Sequence, residues 1–404
     1  MPVQADNISS INQTARMPAL WILVLLSAVS PLAMNMFVPS MPSIAADLNA
    51  PYASVQLGLS LFLAVTAVLQ LVSGPLSDRF GRRPVIIGGL AIFLVGTAIT
   101  IVSTTVTMFL IGRVIQTAAA VGMVLSRAIV RDVYPREKSA SMIGYVVMGM
   151  AIAPMIGPAI GGYADNLFGW RASFVVMGAF GLITLLATLF LLPETNRSQG
   201  QTFHAQMNAW RSLLGSKTFW LLTLASGLAS SVFFSFLGGG PSVSSNYLGQ
   251  SPFQYGLYFA LCALGYAFGN FLSGRLSEAR GIERMMVDGA ALTLLGPIIT
   301  LGLFGSGIEH PIALFGPLTL IGVGNGMTLP NVVAAAVSLR PEAAGAASGL
   351  LGALQIAMGA VGSVIAAIVV GEQGSPILLC LQMTLLAIIA YATTVAAARS
   401  QNNG

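Results

Sequence analysis

Twelve stretches of about twenty apolar residues limit what this chain can fold into. They fall at roughly 18–40, 54–76, 84–103, 106–130, 139–163, 171–192, 217–240, 252–274, 285–305, 311–337, 343–369 and 376–398. A helix of about 20 residues crosses the hydrocarbon core of a bilayer and satisfies its own backbone hydrogen bonds on the way. Soluble domains carry about 25% charged residues. Here the share is 8%, against 55% hydrophobic, in 404 residues. The expected fold class is an all-α polytopic membrane protein with twelve spans. Its 45 glycines suit close helix packing in lipid.

Several function classes are disfavoured. Cys262 and Cys380 lie in apolar runs, which implies buried thiols and no disulfide framework. His204 and His310 lie between runs, so no metal site is expected. The net charge of +5 is dispersed, which argues against a nucleic-acid partner. There is no G-x-x-x-x-G-K-[ST] pattern for a nucleotide-driven pump. Acids and histidines do not cluster inside the runs, so an enzyme is not expected. The N-terminal "MPVQADNISSINQTAR" is polar, and the run after it is too long for a signal-peptide core, so it reads as a retained first span.

The longest polar insert separates six runs from six. The expected organisation is a tail (1–16), a six-helix half (17–192), a linker (193–216), a second half (217–398) and a short tail (399–404). Lys and Arg set the orientation. With both termini in the cytoplasm, fifteen of the eighteen basic residues are cytoplasmic. Arg171 is outside, and Arg113 and Arg127 are in the membrane.

The halves repeat. "GPLSDRFGRRP" (Gly74–Pro84) follows the second run, and "GRLSEARGIER" (Gly274–Arg284) follows the eighth, 200 residues later. Two six-helix repeats around a central site suit a transporter. Gly74 and Gly81 read as turn residues, and Asp78 with Arg79, Arg82 and Arg83 as an ion-pair cluster at the membrane surface.

This loop resembles the signature G-x-L-x-D-R-x-G-R-R of the major facilitator superfamily. The resemblance implies twelve helices in two halves, with Asp78 locking the cytoplasmic side. Its implied partners are the start of span eleven, "RPEAAGAASG" with Pro341 in its first turn, and Asp132 closing span four.

Span five, "GYVVMGMAIAPMIGPAIGG", repeats small residues every four positions, which makes one smooth helix face, and Pro154 and Pro158 should kink it. Gly144, Gly157, Pro158, Gly161 and Gly162 resemble the antiporter motif of twelve-helix drug:proton antiporters. Helix packing alone would use the same residues.

Span four carries Arg113 about 10 Å below its outer end. A charge at such depth costs at least about 2.5 kcal/mol, so it should face a cavity or a partner. Arg113 with Gln116 resembles the family's R-x-x-Q-G, with Thr117 in place of the glycine. "LAMNMFVPSMP" (Leu32–Pro42) is similar to the end of span one in Bcr/CflA-type multidrug exporters, "LAxDMYLPxxP". Asn35 stands where those have an acid, and an amide carries no proton. Packing beside Pro39 is the alternative role for Asn35.

The reading is a secondary transporter that exports lipophilic small molecules across the bacterial inner membrane by alternating access. The resemblance implies a proton gradient as energy source and no other cofactor, with protons, substrate and lipid as partners. A monomer is expected. Asn35, Arg113 and Gln116 would line the cavity from the first half. Phe233, Phe234, Phe236, Tyr258, Tyr266 and Asn325 would line it from the second, with lipid contact the alternative for the aromatics. A metabolite or sugar uptake carrier, or a uniporter, on the same fold is the rival function.

Overall fold

The computed structural model describes residues 17–134, 136–196, 210–340, 344–371 and 373–402. The chain runs through α1 (Leu20–Asp47), α2 (Tyr52–Phe80), α3 (Arg82–Ile101), α4 (Val106–Val130), α5 (Arg136–Phe168) and α6 (Arg171–Leu191). The second half holds α7 (Lys217–Tyr247), α8 (Pro252–Arg280), α9 (Ile282–Gly305), α10 (Pro311–Ser338), α11 (Ala344–Val370) and α12 (Pro376–Asn402). Eleven helices among the described residues are long and apolar enough to cross a membrane. The expected count was twelve, and the helix left over is α5, 33 residues long.

Two helices depart from regular geometry for local reasons. Helix α1 is α-helical over Leu20–Asn35, 3₁₀ over Val38–Ser40 and α-helical again over Met41–Asp47. Pro39 and Pro42 lack the N–H that an unbroken ladder would need, so each stands in the first turn of a restarted helix, where no N–H is called for. Helix α7 ends in a π-turn over Val243–Tyr247.

The repeat is legible in three dimensions. Helices α2 and α8 each have 29 residues and start 200 residues apart, at Tyr52 and Pro252. Each ends on a glycine with positive φ, 94° at Gly81 and 86° at Gly281, a conformation that residues with a Cβ rarely adopt. Gly74, expected in a turn, lies instead inside α2, with nothing within 4 Å of where a Cβ would stand. The tight turn belongs to Gly81 alone.

The halves meet along α2 with α11 and α5 with α8. Close contacts between them gather at the end of the bundle that holds Asp47. There Tyr52 Oη donates to the Gly238 carbonyl at 2.7 Å, and Gln56 Nε2 donates to Ser363 Oγ at 2.6 Å. A Cβ on Gly162 would stand 2.2 Å from the Pro252 carbonyl, and one on Gly256 2.5 Å from that of Pro158. Backbone thus touches backbone across the seam. Among the described residues, cavities open between the halves. One, of about 300 Å³, opens at this end among the broken part of α1, the end of α7 and the start of α8. The other, of about 610 Å³, is an apolar groove between α2 and α11.

Candidate functional site

Arg113, on α4, is fully buried. Its Nη1 donates to Gln116 Oε1 at 2.6 Å and to the Ala33 carbonyl of α1 at 3.1 Å, and its Nε donates to the Gly58 carbonyl of α2 at 3.4 Å. Its guanidinium lies 4.0 Å from the Phe37 ring centroid, 4.8 Å from Phe62 and 5.9 Å from Phe174. Each such contact is worth about 0.5–2 kcal/mol once desolvated. Gln116 passes the network on, donating through Nε2 to Thr97 Oγ1 at 2.8 Å. No carboxylate is among these partners, and Nη2 has no hydrogen-bond partner. The charge is held by carbonyls, an amide and π faces.

In this conformation Arg113 and Gln116 line neither of the two cavities described above. Arg113 and Gln116 sit inside the first half, enclosed by α1, α2, α3, α4 and α6. The rings of Phe37, Phe62 and Phe174 surround them, and no simple sequence pattern marks those three.

Asn35 is also fully buried. Its Nδ2 donates to the Pro31 carbonyl one turn back at 2.8 Å, while Oδ1 has no partner. Proline at position 31 still offers its carbonyl, and the amide consumes it at the last turn before α1 breaks. An aspartate here would lose this donor.

The antiporter-type face of α5 packs on that same break. A Cβ on Gly157 would have ordinary room, 3.5 Å from both Leu32 Cδ1 and Met36 N. One on Gly161 would stand only 1.8 Å from the Met36 carbonyl. Gly161 therefore fastens α5 to α1, while Gly162 and Pro158 face α8. Gly144 and Pro154 fall within α5, and their surroundings lie outside the described residues.

At the opposite end, Arg82 organises the charges. Its Nη1 pairs with Asp78 Oδ1 at 2.5 Å and its Nε with Asp132 Oδ2 at 3.0 Å. It also donates to Ser77 Oγ. The four-charge cluster expected from sequence is thus narrower. Arg79 is exposed and lies over Phe80, and Arg83 donates to the Leu189 carbonyl at 2.7 Å. Glu194, which from sequence is only one of the acids on the cytoplasmic side, joins this end. Its carboxylate accepts from the backbone N–H groups of Arg82 and Arg83 at 3.0 and 3.1 Å, capping the start of α3. An acid two residues after the end of a span, opposite a loop whose helix begins with no cap of its own, was the available signal. The partner expected at Pro341 lies outside the described residues.

In the second half, Phe236 stacks on Phe259 at 6.1 Å and meets Phe315 edge-on at 5.7 Å, and Tyr258 stacks on Phe315 at 5.4 Å. Phe233 and Phe234 pack on each other at 5.6 Å. Asn325 Nδ2 donates to the Ala229 carbonyl at 3.3 Å, and its Oδ1 is unpartnered. Tyr266 is half-buried, with α10 glycines against its backbone. These groups hold α7, α8 and α10 together, and the two described cavities are lined by other residues.

Paired six-helix halves, joined by tight seams and carrying a buried polar network within the membrane, define a secondary membrane transporter. The chain belongs to the Major Facilitator Superfamily, whose sequence profile matches residues 23–363 and, a second time, 225–403.

Among its relatives, Multidrug resistance protein D of Escherichia coli (strain K12) is 29% identical over 92% of this chain and 94% of that protein. The Bicyclomycin resistance protein homolog of Haemophilus influenzae is 28% identical over 91% and 93%. The Chloramphenicol resistance protein of Pseudomonas aeruginosa is 29% identical over 78% and 73%. The fold also matches the inward-facing, occupied crystal structure of a bacterial homologue of the human lysosomal transporter Spinster. That match has a TM-score of 0.76 at 18% identity, covering 94% of this chain and 96% of that one.

Proposed function

We propose that this protein exports lipophilic, neutral small molecules, antibiotics among them, across a bacterial inner membrane by alternating access. The observation that carries the export reading is its match, over more than nine-tenths of the chain, to proteins named for multidrug and bicyclomycin resistance. The preference for neutral cargo follows from Arg113. A buried cation with no carboxylate beside it repels a second cation in a low-dielectric interior.

The Asp78 end faces the cytoplasm in this reading, because fifteen of eighteen basic residues then lie inside. The transporter works as a monomer. Energy comes from the proton gradient, although the position that holds an acid in the Bcr/CflA pattern is Asn35 here. The test is accumulation of a neutral fluorescent dye in cells with and without the protein, at two external pH values. Lower accumulation with the protein is expected. Equal accumulation for a panel of neutral drugs would overturn the reading.

A further inference from the structure

The cavity of about 300 Å³ at the Asp47 end is walled by both halves. Pro39 and Pro42 contribute from the broken part of α1, Pro241 and Pro252 from the end of α7 and the start of α8. A proline ring is a rigid apolar face with no N–H to offer. The first half therefore supplies two such faces and the second half the other two.

Between these faces stand hydrogen-bonding groups with capacity left over. Tyr255 lines the cavity, is 2% exposed, and its hydroxyl has no hydrogen-bond partner. Its ring is held in place, stacked on Phe259 at 5.9 Å and edge-on to Phe315 at 5.6 Å. Gln250 lines the cavity too and is also buried. Ser244 Oγ donates to its Oε1 at 2.7 Å, which fixes the amide and leaves Nε2 for an acceptor. A buried polar group without a partner is costly, and a ligand that bonds to it recovers that cost.

None of the twelve lining residues is Asp, Glu, Lys, Arg or His. Asp47, at the end of α1, is paired with Arg171 at 2.8 Å. A charged ligand would give up its water here for no counter-charge, whereas an uncharged one would not. The volume stands at the small end of ligand pockets and suits a molecule of disaccharide size.

We propose that this cavity binds a small uncharged molecule rich in hydroxyl groups, and that its occupant holds the Asp47 end shut. The apolar C–H faces of the occupant lie on the proline rings, and its oxygens accept from Gln250 Nε2 and Tyr255 Oη. Opening this end draws the α1 wall away from the walls of α7 and α8 and splits the site. The occupant therefore binds the closed state in preference and shifts the population toward it. A solute in the adjoining solution thus slows turnover without itself crossing. The effect on closure rests on the alternating-access reading, and the binding does not.

The probes are sucrose and trehalose, with gluconate and glucosamine as charged counterparts. Binding to the protein in lipid nanodiscs is read by saturation-transfer magnetic resonance. Closure is read as the electron–electron resonance distance across the mouth, between spin labels at Thr104→Cys and Ser306→Cys. Both positions are exposed, one in each half, and neither lines the cavity. Cys262 and Cys380 are replaced beforehand. At least one neutral probe is expected to bind saturably and to move the distribution toward the short distance, and the charged pair should do neither. Gln250→Ala and Tyr255→Phe should each raise the half-saturating concentration about fivefold. Ala46→Trp, which fills the cavity from α1, should abolish binding. The proposal is overturned if neither neutral probe binds saturably, if the charged pair binds equally well, or if Ala46→Trp binds like wild type. Binding that leaves the distance unmoved also overturns it. Failure of the export reading would appear separately, as absent drug efflux with binding of the neutral probe preserved.

Discussion

The glycine face of α5 offers a test with a built-in control, because three glycines within two turns meet different neighbours. Substitute each by alanine. At Gly157 the new Cβ meets α1 at 3.5 Å, an ordinary contact, and the change should be nearly neutral. At Gly161 it starts 1.8 Å from the Met36 carbonyl and must retreat to about 3.4 Å. The opposing group is backbone, so no side chain can swing away. Overpacking of this kind costs about 1–3 kcal/mol or more. Because both helices belong to the first half, the cost should appear as lost stability. At Gly162 the clash, 2.2 Å from the Pro252 carbonyl, lies between the halves. The same 1–3 kcal/mol then falls on the closed seam alone and should shift the equilibrium toward opening of the Asp47 end by about 5–150-fold. Thermal unfolding in detergent reads the first effect, and the spin-label distance across the mouth reads the second. If Gly162→Ala leaves that distance unchanged while Gly157→Ala alters it, the assignment of α5 faces is wrong.

Asn35→Asp should place a carboxylate near Arg113, worth on the order of 2–4 kcal/mol at separations of about 4–8 Å. Efflux of a quaternary ammonium dye should rise, with a steeper dependence between pH 6 and 8. Strong, steeply pH-dependent cation efflux by the wild type would count against the selectivity role of Asn35. Arg82→Ala should leave Asp78 and Asp132 without their shared partner, at a cost on the order of 3 kcal/mol, visible as a lower unfolding temperature and impaired transport. Arg79→Ala should do neither, since Arg79 is exposed. Tyr52→Phe removes the bond to the Gly238 carbonyl and should loosen the seam by about 1 kcal/mol, read as a longer mean distance across the mouth.

The span pattern was legible because a bilayer demands some twenty apolar residues per crossing, and little else in a sequence mimics that. The repeat was legible because Gly81 and Gly281 punctuate identical lengths of helix. The charge cluster was only half legible. Adjacency in "DRFGRRP" cannot say which arginine turns inward, and the turn at Gly81 gives the inward position to Arg82, the first residue of α3. Glu194 was hidden because its role depends on a return from α6 to α3 that no local pattern announces. Arg113 and Gln116 were recognisable as a pair. Their enclosure depends on aromatic residues from three other helices, and on a packing that polarity along one helix cannot reveal.

The three-point grip on Arg113 has an electrical consequence. Its bonds to the Ala33 and Gly58 carbonyls and to Gln116 tie it to α1, α2 and α4 at once. The guanidinium therefore cannot slide through the bilayer on its own and moves only as far as the first half carries it. One charge crossing the whole field is worth about 2.3 kcal/mol per 100 mV, so each tenth of the field costs only about 0.2 kcal/mol. A rocking half that pivots near this depth would move its deepest permanent charge through almost none of the membrane voltage. The movement of the half would then be nearly silent on an electrode, and with a neutral cargo the current of the cycle would be that of the coupled proton alone.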